Sequence, residues 1–214
     1  MGAKKAGGWI VRFSLFHHIA RATHRRRRIL QAGFYFTLQE VIVKFSFYMV
    51  DANYCDFLRK SDPCVPYTME HKAIRPFVGI VFMVNNICYY APLTSPKPKH
   101  LHMKNQIDFL KIKGGEWGAV NFNNMIPVHP NSLKKVEIKI LETDSQQERA
   151  YKNLLSNQLS WCNSHRDIIL KQAQKLYRLI TEGKAWDGLA DRCCNFALDE
   201  KLCASFATAA SDQL

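Results

Sequence analysis

Acidic residues are scarce in this sequence. Only 18 Asp and Glu stand against 30 Lys and Arg, a formal net charge of +12 over 214 residues. That balance favours polyanionic partners, nucleic acid first and an anionic membrane surface second. Long apolar runs are missing as well, and none could span a bilayer as a helix. There is no G-x-S-x-G, no P-loop and no paired-His zinc motif, which removes the common serine, nucleotide and zinc hydrolases. None of the seven cysteines forms a C-x-x-C pair, and the eight histidines are scattered. The expectation is therefore no metal and no cofactor. With no signal-peptide pattern ahead of them, the cysteines predict a reducing, cytoplasmic compartment and mostly buried thiols.

What is present is enough apolar material for one real core, at 47% hydrophobic residues. The charge is unevenly placed. Residues 1–42 hold eight of the Lys and Arg and one acid, Glu40, which leaves the remainder at 22 against 17, a net of +5. The run "HRRRRILQ" reads first as a solvated basic stretch and second as a nucleic-acid arm. A third reading is that these residues are upstream sequence translated in frame. Gln39-Glu40-Val41 can be encoded CAG-GAG-GTN, a ribosome-binding sequence, with Val43 as a GTG start. The expected division is a basic extension over 1–42, disordered or mis-started, and a folded domain over 43–214.

From Val43 the pattern is regular. "VKFSFYMV" alternates as a strand does. Asp51 is placed to cap a helix carrying Tyr54, Phe57 and Leu58 on one face. "PFVGIVFMV" is a continuous apolar run, the pattern of a fully buried strand. Asn85-Asn86 suits a hairpin turn into "ICYYAPL". Further strands are predicted over 107–113, 117–122 and 135–141, with Gly114-Gly115 turning between the first two. Helical stripes run through Leu155, Leu159 and Cys162, and through Ile169, Ala173, Leu176 and Ile180. Ser164 with Asp167 resembles a capping box between them, and Gly183 suits the stop. "CNFALDEKL" predicts a short final helix. The fold class is α+β: a mainly antiparallel sheet with packed helices.

The segment "YYAPLTSPKPKH" carries the candidate chemistry. Pro92 and Pro96 stiffen the backbone on both sides of Thr94-Ser95, and Lys97 adds a point charge. Hydroxyls and an ammonium held this way suit a phosphate. Taken alone, the simpler reading is a proline-rich turn whose hydroxyls cap local backbone. RNA, however, brings its own nucleophile in the 2′-OH. Its cleavage needs only a base, an acid and stabilisation of the phosphorane. Tyr67, His71, Lys72 and Arg75 lie upstream of the loop, and Lys99, His100, His102 and Lys104 lie within or after it.

The pieces "FYMVDANYCDFLRKSDPCVP", "RPFVGIVFMVNNICYYAPLTSPKPKH", "MKNQIDFLKI", "GGEWGAVNFNNMIPV" and "CNFAL" occur in an order and spacing that resemble the ToxN/AbiQ family of type III toxin–antitoxin endoribonucleases. The first 42 residues have no counterpart in it. The resemblance implies a compact, strongly twisted sheet core with helices, related to bacterial mRNA interferases. It implies metal-independent cleavage of cellular or phage RNA to a 2′,3′-cyclic phosphate. It also implies a small structured RNA antitoxin, cut from a repeat transcript by the toxin, bound in a closed hetero-oligomer and acting in phage defence by abortive infection. Residue by residue, it places active-site hydroxyls on Thr94 and Ser95 and a lysine on Lys97. A tyrosine falls on Tyr54, more weakly one on Tyr67, and a basic position on Lys72 or Arg75. Ser95 and Lys97 are assigned to the phosphate, and proton transfer to Lys72 or His100. Tyr54, Tyr67, Arg75, Lys99, His100 and Lys104 are the expected RNA contacts. Two readings compete: a non-catalytic RNA-binding protein on the same scaffold, and a membrane-surface protein using "RRRR".

Overall fold

The computed structural model describes residues 44–66, 79–84 and 87–211. The chain divides into two units, Met1–Val43 and Lys44–Leu214, and every described residue belongs to the second. The expectations for residues 1–42, for the Asn85-Asn86 turn and for Tyr67, His71, Lys72 and Arg75 lie outside the described residues.

The sheet is built around two strands, β2 (Gly79–Val84) and β3 (Ile87–Thr94), paired antiparallel from Gly79↔Pro92 to Val84↔Ile87. Beyond β2 lie β1 (Phe47–Val50) and then an edge strand of three residues, Leu133–Lys135. The other edge of β3 is shared in succession by two short strands. Its first half pairs with Ile126–Pro127, through Tyr89↔Pro127 and Tyr90↔Ile126. Its end pairs with β5 (Ala119–Asn121), through Leu93↔Val120 and Thr94↔Ala119. Strand β4 (Phe109–Lys111) closes that side. We number Ile126–Pro127 β6 and Leu133–Lys135 β7. All these pairings are antiparallel.

Helix α1 (Ala52–Arg59) follows β1, and the Asp51 side chain accepts from the Tyr54 N–H at 3.1 Å as its cap. A five-residue helix, α2 (Pro98–His102), follows β3 directly. The long helices α3 (Gln146–Ser164) and α4 (Arg166–Thr181) obey the apolar stripes. The capping box lies elsewhere than expected. Ser145 and Glu148 form it at the start of α3, whereas Ser164 donates back to the Trp161 carbonyl at 2.9 Å and α4 has no side-chain cap. Gly183 does end α4. It sits at φ 65°, with Gly183 N–H to Ile180 O at 3.2 Å and Lys184 N–H to Leu179 O at 2.9 Å, a Schellman closure. A single turn, α5 (Asp187–Ala190), precedes α6 (Phe196–Ser211), which is longer than the sequence suggested.

Helices α4 and α6 cover the sheet. Tyr177 of α4 stacks on Phe196 of α6 with centroids 5.9 Å apart, and Tyr89 of β3 stands edge-on to both at 5.8 Å. The segment "NFNN" after β5 ties the two halves together. Asn123 bonds the 192–194 backbone and the Asn124 side chain donates to the Cys64 carbonyl at 2.9 Å. The predicted strand at 135–141 is shorter and earlier. Pairing to β1 ends at Lys135, and Ile140 remains 38% exposed, so its alternating apolar residues have no sheet face to cover.

Candidate active site

Thr94 is the last residue of β3, half-buried, and its hydroxyl donates toward the Ala119 carbonyl at 3.5 Å. Ser95, Pro96 and Lys97 then leave the sheet exposed. The chain turns at once into α2, with Pro98 at its first position and the Lys97 carbonyl accepting the His100 N–H at 2.9 Å. Proline suits that position because its missing N–H would be unpaired there anyway. The Lys97 ammonium is not used to cap the helix. Lys97, Lys99 and Lys104 are exposed and make no ion pair among the described residues. The result is a hydroxyl and two cations, Lys97 and Lys99, carried on one short segment at the mouth of a central strand, with Lys104 beyond it.

Both ends of this segment are gripped by the turn between β4 and β5. Residues Ile112–Gly115 make a 3₁₀ turn, with Lys113 at φ 46° and Gly114 at φ 66°. Gly118 has φ 91°, and a Cβ there would lie 2.0 Å from the Thr94 carbonyl oxygen. A Cβ on Gly115 would lie 2.5 Å from the His100 carbonyl oxygen. No side chain fits either place, so backbone packs directly on backbone at each end of the loop. The Gln158 side chain, from α3, donates to the Trp117 carbonyl at 2.6 Å and fixes the turn from behind.

Two predicted contacts are corrected. Tyr54 is 0% exposed, its ring stands edge-on to Phe206 at 5.0 Å, and its hydroxyl donates to the Pro127 carbonyl at 2.7 Å. It is a core residue joining α1 to β6, not an RNA contact. Tyr54→Phe should therefore leave cleavage unchanged and cost about 1 kcal/mol of stability, the usual loss for one buried hydrogen bond, read from urea midpoints. His100 is the second. It is 2% exposed, packed edge-on to Phe109 at 5.5 Å, and its Nδ1 has no partner among the described residues. Burial first, then the charges of Lys97 and Lys99, lower its pKa. It anchors α2, with its ring turned inward onto Phe109.

A buried polar cluster, with no local sequence signal, lies between α1 and α6. Asp62, Cys194 and Asp199 place their ligand atoms within 4.8 Å of one another. Both Asp62 oxygens already accept backbone N–H groups, from Cys64 at 2.9 Å and Asn195 at 2.6 Å. Asp199 is 0% exposed, and neither of its oxygens has a donor among the described residues. Two carboxylates cannot bond each other, but a protonated Asp199 can donate to Asp62. Burial, then the neighbouring Asp62, push the Asp199 pKa up to about 8. The arrangement fits a shared proton better than a cation.

Residues 46–204 match the family model of the toxin ToxN of type III toxin–antitoxin systems. The chain belongs to the ToxN family. The Endoribonuclease ToxN of Bacillus thuringiensis subsp. kurstaki is 27% identical over 164 residues, spanning 75% of this chain and 83% of that protein. Two solved structures share the fold. One, from work on a processed non-coding RNA that regulates a bacterial antiviral system, is 26% identical with a TM-score of 0.61, over 73% of this chain and 95% of that one. Another, from work on selective toxin inhibition by a non-coding RNA pseudoknot, is 25% identical with a TM-score of 0.61, over 77% and 98%. The α+β, antiparallel architecture is thus that of ToxN proteins. The match begins two residues after the first described one, and the matched span contains Thr94, Ser95 and Lys97.

Proposed function

We propose that this chain is an endoribonuclease toxin that cuts RNA without a metal and is neutralised by a small structured RNA. The observation that carries the reading is the exposed Ser95–Lys97 segment at the end of β3, clamped at both ends, in a ToxN-family chain. In the proposed reaction the 2′-OH attacks its own phosphate and loses its proton to a base. The bond from phosphorus to the 5′-oxygen breaks, that oxygen takes a proton, and a 2′,3′-cyclic phosphate remains. The Ser95 hydroxyl and the Lys97 ammonium bind the phosphate oxygens and stabilise the charge of the phosphorane. Thr94 holds the strand end from which they project. Lys72 supplies the proton transfer that buried His100 does not, Lys99 and Lys104 extend the cationic track for the RNA backbone, and Tyr67 and Arg75 are further RNA contacts in this reading. The toxin domain is residues 43–214, which contains the whole family match. Its partner is a repeat-derived RNA antitoxin, and its setting is defence against phage. Support for that setting is the similar structure from work on a processed non-coding RNA that regulates a bacterial antiviral system.

The test is incubation of the full-length protein with A-rich RNA in EDTA. Fragments ending in a 2′,3′-cyclic phosphate are expected, and repeat-derived RNA should suppress them. Binding without cleavage would instead make this a non-catalytic RNA-binding protein. Cleavage abolished by EDTA and restored by a divalent cation would overturn metal independence.

A further inference from the structure

The loop that carries Ser95 and Lys97 has few bonds of its own. The Thr94 side chain reaches Ala119 only at 3.5 Å, and α2 is a single short helix. Its geometry is set from outside, by the Thr94↔Ala119 pairing, by Lys111 Nζ donating to the Leu101 carbonyl at 3.4 Å, and by the close approach of the turn 112–118. Within that turn Ile112 N–H bonds Gly118 O at 2.9 Å, Trp117 N–H bonds Ile112 O at 3.3 Å and Gly118 N–H bonds Gly115 O at 3.1 Å. These bonds close the turn on itself, but they do not press it onto the loop. A side-chain tie on the turn itself comes from Gln158 of α3, 41 residues further along the chain. It is 3% exposed, and its amide meets the Trp117 carbonyl at 2.6 Å, one residue before the glycine that touches Thr94.

We infer that Gln158 is a positioning residue for RNA cleavage, holding the Trp117–Gly118 backbone against Thr94 so that the Ser95 hydroxyl and the Lys97 ammonium meet the same phosphate. This rests on the proposed function for its chemical meaning. Its structural content, that Gln158 sets the order of the 94–100 loop, is tested separately. A buried glutamine is an uncommon choice here unless its amide is needed, since burying a polar group without a partner is costly. Small displacements matter at such a site, because a shift of about 1 Å can cost on the order of a hundredfold in rate. The residue touches no substrate. It acts through Trp117, Gly118 and Thr94 in turn.

The experiment uses full-length Gln158→Leu and Gln158→Glu. Leucine fills similar space and cannot donate. An ionised glutamate cannot donate either, but a protonated one can. Two readouts are taken on each variant: amide hydrogen exchange of the peptide covering residues 93–102, and single-turnover cleavage together with RNA affinity. The expected result for leucine is at least tenfold faster exchange in that peptide, with exchange in β2 unchanged. Cleavage should be about tenfold to a hundredfold slower, with RNA affinity within about threefold of the parent. The glutamate variant should regain both loop protection and rate relative to the parent as pH falls from 7 to 5, which a packing defect would not do. If leucine destabilises the fold, the glutamate pH series alone decides. Unchanged exchange at 93–102 in both variants would overturn the inference, whether or not the protein cuts RNA. A parent protein that does not cut RNA, with the exchange changes intact, would overturn the nuclease reading and leave the clamp standing.

Discussion

Lys97→Ala should give a folded protein that cuts RNA about a hundredfold more slowly. The Lys97 side chain is exposed, caps no helix end and pairs with no carboxylate among the described residues. Its backbone supplies the bond to His100, and alanine keeps that bond. Stability should therefore move by no more than about 0.5 kcal/mol, as for an ordinary surface change. The rate is a different matter. One charge-assisted contact that strengthens as charge develops on the phosphorane is worth on the order of 3 kcal/mol, or roughly a hundredfold. Single-turnover cleavage at saturating protein separates the two effects from RNA affinity, which should fall only modestly because Lys99 and Lys104 remain. Ser95→Ala should behave similarly. Thr94→Ser should be milder, since its hydroxyl still faces the Ala119 carbonyl. Full cleavage by folded Lys97→Ala would remove Lys97 from the chemistry.

The parts of this molecule that were legible in the sequence are those written in a local pattern. The continuous apolar run became β2, the aromatic run became β3, and the two stripes became α3 and α4. Gly183 marked a helix end because only a residue free of Cβ strain takes φ 65° easily. The end of β3 at Thr94 and the exposed Ser95–Lys97 segment were legible because stiff prolines bracket them in the chain. Tyr54 was misread. The helical stripe placed it on one face with Phe57 and Leu58, whereas the RNA contact came only from the resemblance; the Pro127 carbonyl and the Phe206 ring put it in the core. His100 was misread likewise, since its neighbours Lys97 and Lys99 are exposed while its own ring turns inward onto Phe109. Helix α2 was hidden because proline spacing reads as a rigid loop, although proline is also a good first helical residue. Strand β6 is too short, at two residues, to show any period. Gln158 and Gly118 were invisible as a pair, because their relation exists only once α3 lies against the turn before β5.

The Asp62–Asp199 pair leads to the second large effect, on stability instead of rate. Asp199 is an ordinary aspartate in the unfolded chain, with a pKa near 3.8, and is held at about 8 in the folded protein. Burial is the first cause and Asp62 the second. The first turn of α6 would favour an ionised Asp199, but a helix end contributes only about 0.3–1 kcal/mol, too little to offset a buried carboxylate beside another. Below pH 4 both states carry the proton and the residue contributes nothing to the pH dependence. Between about 4 and 8 the folded state keeps a proton that the unfolded state has lost. Stability then falls as pH rises, by about 1.4 kcal/mol per pH unit. Above about 8 the decline stops. Asp199→Asn removes the titration, and its amide donates to Asp62 as the acid's O–H does. The titratable groups around the pair include Cys64, Cys194, Cys203, Tyr54, Tyr89 and Glu200, and both tyrosines have raised pKa values and stay neutral through this window. The three thiols have raised pKa values and stay neutral through this window, while Glu200 accepts from the Tyr89 hydroxyl at 2.7 Å. Urea unfolding of both full-length proteins at pH 5, 6.5 and 8 should show the parent losing about 4 kcal/mol relative to the asparagine variant across those three pH units, a large share of the 5–15 kcal/mol by which domains are stable. Parallel stability curves for the two proteins would mean that Asp199 is ionised in the fold and that the pair shares no proton.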